Sequence, residues 1–119
     1  MHELAICGEL VARVAGLARE KDATVTRVRV GVGPLSGVEP ALLERAYPLA
    51  CAGTAAEGSV LELEATAVEV RCRDCAARTR ASANRLICAA CGSWRTDLAS
   101  GDELLLLRVE MAHEVTAHV

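Results

Sequence analysis

Cys72-Arg73-Asp74-Cys75 and Cys88-Ala89-Ala90-Cys91, separated by the residues Ala76 to Ile87, decide how this chain is organised. Each pair aims two sulfurs at one point from a short turn. Two such knuckles complete a tetrahedron with no open position, the donor set of a structural zinc site. Soft thiolates in that geometry favour Zn(II), although mononuclear iron fits the same four sulfurs. A redox role is disfavoured because neither pair opens the helix of a thioredoxin-like unit. Disulfides are disfavoured by the expected compartment: no stretch is long and uncharged enough for a membrane span. The N-terminal region carries Glu3, Glu9 and Arg13 where a signal peptide would be apolar, so a cytoplasmic protein is expected.

Charge marks off the same region. Residues 71–96 hold six arginines against Asp74 alone, net +5, whereas the remainder has 7 basic and 15 acidic residues, net −8, consistent with −3 for the whole. A basic insert therefore interrupts an acidic body, with boundaries expected near Val70 and Thr96. Basic character alone does not make a nucleic-acid module. Tyr47 and Trp94 are the only aromatic residues, too few for base-stacking platforms, and four thiolates around a divalent ion return two negative charges to the insert.

Outward from the insert, the body reads as an α/β domain. The chain has 119 residues, about one domain, and 52% are hydrophobic, which excludes wholesale disorder. Leu4, Cys7, Leu10, Val11, Val14, Leu17 and Ala18 recur at helical spacing between His2 and Lys21. Thr24 to Val32 alternates as a half-buried strand, with Val28, Val30 and Val32 on one side and Arg27 and Arg29 on the other. Gly31 to Gly37 reads as a turn; no Gly-Lys-Ser/Thr follows to make it a phosphate cradle. Pro40 opens a second helix, which Pro48 is expected to kink or end. Ser59 to Val70 alternates again, with a phase change near Thr66 that predicts a bulge or bend. After the insert, the Leu104 to Leu107 run predicts a central strand within Glu103 to Met111. The expected fold is α/β, a small mixed β-sheet with two α-helices plus an inserted four-cysteine zinc-ribbon domain. In domain terms, residues 1–70 form one part, completed by 101–112, and residues 71–96 form the other.

A second candidate site lies at the amino terminus. His2 places an imidazole beside the terminal amine with backbone amides between them. The Met1 nitrogen and the His2 amide close a five-membered chelate, His2 Nδ1 and its own amide a six-membered one, and the Glu3 amide supplies a fourth donor. Such tetragonal nitrogen coordination suits Ni(II) or Cu(II). The alternative is that His2 is an ordinary exposed terminal residue. Two other metal motifs fail on spacing: a zinc-protease HExxH needs His where Ile6 stands, and the deaminase HxE with PCxxC is absent. Cys7 and Cys51 read as core residues on the two helices. His113 and His118 fall after the last expected strand, in a solvated tail, and Glu62, Glu64 and Glu69 on solvent faces. No nucleophile and base pair stands out, so a binding protein is expected rather than an enzyme.

Taken in order, Met1-His2-Glu3-Leu4, the first helix, Val30-Gly31-Val32-Gly33 with Ser36-Gly37-Val38, the two CxxC pairs, and Gly101-Asp102-Glu103-Leu104 leading into Val109-Glu110 resemble the HypA/HybF hydrogenase-maturation nickel chaperones. The resemblance spans essentially the whole chain. It implies a nickel carrier that delivers Ni(II) toward the [NiFe]-hydrogenase large subunit with a HypB-type GTPase as partner; some members also serve urease maturation. It further implies nickel ligation by the Met1 amine, the His2 imidazole and amide and the Glu3 amide, and zinc ligation by Cys72, Cys75, Cys88 and Cys91. There are two departures: Ala76 follows the first pair where Gly92 follows the second, and no His lies near either pair. A zinc-ribbon module binding nucleic acid or protein is the alternative reading.

Overall fold

The structure is a computed structural model, which describes residues 2–113. Its elements run α1 (Glu3–Glu20), β1 (Ala23–Val32), α2 (Pro40–Cys51), β2 (Val60–Ala65), β3 (Glu69–Cys72), β4 (Arg78–Arg80), β5 (Thr96–Ser100) and β6 (Leu104–His113). Contacts divide the chain into two compact units, one of residues 1–30, 39–63 and 106–119, the other of residues 31–38 and 64–105. No helix among the described residues is long and apolar enough to cross a membrane.

In the first unit, α1 buries Cys7, Val11, Val14, Ala15 and Ala18, one face at three- and four-residue steps. That face packs against α2, whose buried residues are Leu43, Tyr47 and Cys51. Cys7 and Cys51 are accordingly core residues: the Cys7 thiol donates to the Leu43 carbonyl at 3.4 Å, and burial raises it to about 11, with Cys51 and Glu3 adding to the effect. Pro40 occupies the first turn of α2, where no N–H is needed. Pro48 does not end the helix, which continues to Cys51.

Two three-stranded sheets are formed, in the orders β2-β1-β6 and β4-β3-β5. The Thr24 and Thr26 hydroxyls of β1 donate to the carbonyls of Ala112 and Glu110, and the Gly33 N–H to that of Glu103. Partner numbers fall as β1 numbers rise, so β6 is antiparallel to β1. On the other side Arg29 reaches Glu62 at 3.4 Å and the Thr66 N–H meets the Val32 carbonyl at 3.1 Å, so β2 runs with β1 and the sheet is mixed. The solvent face of β1 is charged: Arg27 bonds Glu62 and lies 3.7 Å from Glu110.

Three expectations are corrected. The alternation from Ser59 to Val70 is not one bent strand, because pairing stops at Ala65 and resumes at Glu69 in the other sheet. The leucine-rich strand β6 is not central; β1 is, and Leu105 and Leu107 of β6 are 41% and 43% exposed. His113 is the last residue of β6 rather than part of a following tail, whereas His118 lies outside the described residues.

Within the second unit, the segment after β1 is held by backbone contact. The Gly33 N–H donates to the Glu103 carbonyl at 2.9 Å and the Leu35 N–H to the Gly101 carbonyl at 2.7 Å. A Cβ at Gly33 would stand 2.3 Å from the Gly101 carbonyl oxygen, so only glycine fits.

Candidate metal centres

The two CxxC pairs fold into the same turn twice. After the first pair, the Ala76 N–H donates to the Cys72 carbonyl at 3.0 Å and the Cys72 N–H to the Ala77 carbonyl at 2.9 Å. After the second, the Gly92 N–H donates to the Cys88 carbonyl at 2.8 Å and the Cys88 N–H to the Ser93 carbonyl at 2.9 Å. Each turn requires a left-handed residue directly after its second cysteine: φ is +62° at Ala76 and +78° at Gly92. The glycine takes that conformation freely, whereas alanine adopts it against its Cβ.

These turns bring all four sulfurs within 4.8 Å of one another. Cys72 Sγ lies 3.6 Å from Cys91 Sγ, and Cys75 Sγ lies 3.6 Å from Cys88 Sγ. None of the six cysteines is in a disulfide. A tetrahedron with zinc–sulfur bonds of about 2.3 Å has edges of roughly 3.8 Å, so the spacing and soft donors fit one Zn(II). Cys72 and Cys88 are buried while Cys75 and Cys91 are exposed.

The sulfurs are electrostatically unequal. Backbone N–H groups of Cys75 and Asp74 point at the Cys72 sulfur, at 3.4 and 3.3 Å, and hold its thiol below the ordinary range despite burial. The Cys91 N–H, with that of Ala90, pulls Cys88 down to about 6. At Cys91 the Ser93 N–H acts in the same direction, but the sulfurs of Cys72, Cys75 and Cys88 outweigh it and push that thiol up to about 12. Four sulfurs this close cannot all ionise without a cation among them. A soft divalent ion meets that need.

Residues that sequence reasoning missed lock the two turns together. Asp74, between the first two cysteines, accepts a hydrogen bond from the Ser93 hydroxyl and pairs with Arg95 at 3.3 Å. The Thr79 hydroxyl accepts the Ala89 N–H at 3.0 Å, and the Thr96 hydroxyl donates to the Leu86 carbonyl at 2.7 Å. The only signal in the sequence was the placement of polar residues within and just beyond the CxxC turns.

At the other end of the chain, Met1 lies outside the described residues. His2 is exposed and occupies the N-cap position of α1 without capping it through its side chain. The first i→i−4 bond of the helix runs from the Ile6 N–H to the His2 carbonyl at 2.9 Å, so the amides of His2 and Glu3 precede that ladder. Glu3 is buried, and its carboxylate accepts the Glu39 N–H at 3.3 Å, at the N-cap of α2. The acidic side chain thus lies where the positive end of a helix dipole favours it. Among the described residues, no group of three or more metal-ligating side chains other than the four cysteines converges.

Comparison with known proteins gives a consistent result. A family profile described as hydrogenase/urease nickel incorporation, metallochaperone, hypA, matches residues 1–111. The hydrogenase maturation factor HypA of Nitrosospira multiformis is 45% identical over 112 residues, covering 93% of this chain and 97% of that protein. That of Aquifex aeolicus is 38% identical with the same coverage, 93% and 97%. Among solved structures, the solution structure of the Ni metallochaperone HypA from Helicobacter pylori superposes with a TM-score of 0.70 at 27% identity, covering 96% of this chain and 100% of the other. With the match extending across both compact units, the chain belongs to the HypA family of nickel-incorporation metallochaperones.

Proposed function

We propose that the protein binds Ni(II) at its amino terminus and delivers it for maturation of [NiFe]-hydrogenase, while Zn(II) at Cys72, Cys75, Cys88 and Cys91 maintains the second site's shape. The observation that carries the nickel assignment is the exposed His2 at the N-cap of α1, with its own amide and that of Glu3 ahead of the helical ladder. The donors are the Met1 amine, the His2 imidazole and amide, and the Glu3 amide. The Glu3 carboxylate accepts the Glu39 N–H, and the donor proposed for this residue is its backbone amide.

The location also suits a carrier. Amides must lose protons to bind nickel, and the positive end of the α1 dipole favours the resulting anions while opposing the cation itself. Both effects operate within one helical turn and oppose each other, which keeps the site suited to release as well as binding. Resident zinc would supply a rigid, redox-inert link between the two cysteine turns. In this reading the nickel-binding part comprises residues 1–70 completed by 101–112, and the zinc-binding part residues 71–96. The working partners are a HypB-type GTPase and the [NiFe]-hydrogenase large subunit, in the cytoplasm, with urease-maturation proteins a further candidate client. The protein acts as a carrier and not as an enzyme, in keeping with relatives that are named maturation factors.

The test is nickel titration of protein beginning at Met1, alongside His2→Ala, Glu3→Gln and a form extended by one residue before Met1. His2→Ala and the extended form should each lose at least about a hundredfold in affinity, about 2.8 kcal/mol, together with the planar-nickel absorption band. Glu3→Gln, which keeps the amide, should retain the band. Wild-type affinity and spectrum in either of the first two would refute the ligand assignment.

A further inference from the structure

The β4-β3-β5 sheet has a charged face that neither metal assignment uses. Its register places Arg71 opposite Arg78 on one side and Asp97 on the other, and Glu69 opposite Arg80. Side chains alternate between faces, so these residues share the face opposite Val70 and Cys72, and Arg73 follows in the same phase. All four arginines are exposed. Two are neutralised: Arg73 grips Asp97 through two nitrogens, at 2.7 and 3.0 Å, and Arg78 pairs with Glu69 at 2.7 Å.

Arg71 and Arg80 have no carboxylate partner among the described residues. Their placement is unfavourable for the sheet itself. Arg71 stands directly across from Arg78, and like charges in that relation destabilise a strand pair. Glu69, which the register sets against Arg80, is taken by Arg78 instead. Arg71 and Arg80 are therefore left exposed at diagonal positions of the strand pair, positions whose backbones stand roughly 7 Å apart. That is also the separation, about 7 Å, of alternate side chains along one extended strand.

We propose that Arg71 and Arg80 dock an acidic protein segment in extended conformation, with carboxylates at alternate positions. Each guanidinium offers the planar fork that a carboxylate accepts through both oxygens. β4 is an edge strand, so its outer side can also receive a strand of the incoming segment. A protein partner is favoured over nucleic acid because Glu69 and Asp97 stand among the arginines and would repel a continuous phosphate backbone. Charge complementarity thus selects a short partner with discrete carboxylates.

The test uses the zinc-loaded full chain and a fluorescein-labelled octapeptide of alternating Glu and Thr, with anisotropy read at low ionic strength. A peptide of the same composition with contiguous glutamates, a short DNA duplex, and sedimentation of the protein alone complete it. The alternating peptide should bind most tightly. The double variant Arg71→Gln/Arg80→Gln should weaken it at least about tenfold, about 1.4 kcal/mol, with zinc content unchanged. Arg85→Gln, in the loop beyond β4, should bind as wild type does, and Arg80→Lys should fall between wild type and the double variant. The proposal is overturned by no binding, by equal loss in Arg85→Gln, by undiminished binding in the double variant, or by tighter binding of the contiguous peptide or duplex. Self-association that depends on these arginines and resists the peptide would instead identify a second copy as the occupant, and would also overturn it.

Discussion

Ala76 and Gly92 occupy equivalent positions in two otherwise matching turns, yet only one is a glycine. The sequence shows the mismatch, but not its cost, because a backbone angle cannot be read from a residue name. At φ +62° the alanine Cβ crowds its own backbone, and relief of that contact is worth about 1 kcal/mol. Ala76→Gly should therefore raise the stability of the zinc-loaded protein by about that amount, less the extra chain entropy of glycine. A denaturant midpoint with unchanged slope would measure it, and a destabilised variant would show that the turn carries no such strain. Cysteine spacing alone was enough to single out the four sulfurs that converge. The residues that bolt the turns together, Asp74, Ser93 and Arg95, were not legible, since they meet only after both turns have formed.

At the level of elements, the helices were readable because each buries one face at a regular period, and β1 because Val28, Val30 and Val32 are buried while Arg27 and Arg29 are exposed. Errors came where a pattern was shared between sheets or between an edge and a centre. The apolar alternation of 59–70 changes phase near Thr66, and that change marks a switch of sheet, not a bend within one strand: the chain leaves one sheet at Ala65 and enters the other at Glu69. Four successive leucines suggested a central strand, but two of them face water on an edge. The short strands β4 and β5 have too few residues for a period to declare itself. The Gly33 segment illustrates the same limit: a turn was legible, but not the backbone that passes beside it. Gly33→Ala would place a methyl 2.3 Å from the Gly101 oxygen, and backbone on both sides must move. We expect a loss of about 3 kcal/mol in unfolding free energy. A change below about 0.5 kcal/mol, the ordinary scatter of surface substitutions, would contradict the close approach.

On the scale of the whole molecule, two kinds of donor are kept apart in the sequence and in the chemistry they permit. The proposed nitrogen donors stand before and at the first residue of α1, where helix geometry leaves amides outside the hydrogen-bond ladder; sulfur donors sit in paired turns whose N–H groups stabilise thiolate. A borderline-soft, four-coordinate ion belongs with the sulfurs, and an ion that accepts a planar nitrogen set belongs with the terminus. The four-sulfur group was legible from the start, because each CxxC turn is built from residues close in sequence. The arginine face was not, since it depends on strand register. The central claim is that the metals sort by donor. X-ray absorption at the nickel and zinc edges, on one sample loaded with both metals and beginning at Met1, tests it directly. The account predicts a nickel spectrum with only nitrogen and oxygen neighbours and a zinc spectrum of four sulfurs at about 2.3 Å. Sulfur in the nickel shell, or nitrogen replacing sulfur around zinc, would contradict it.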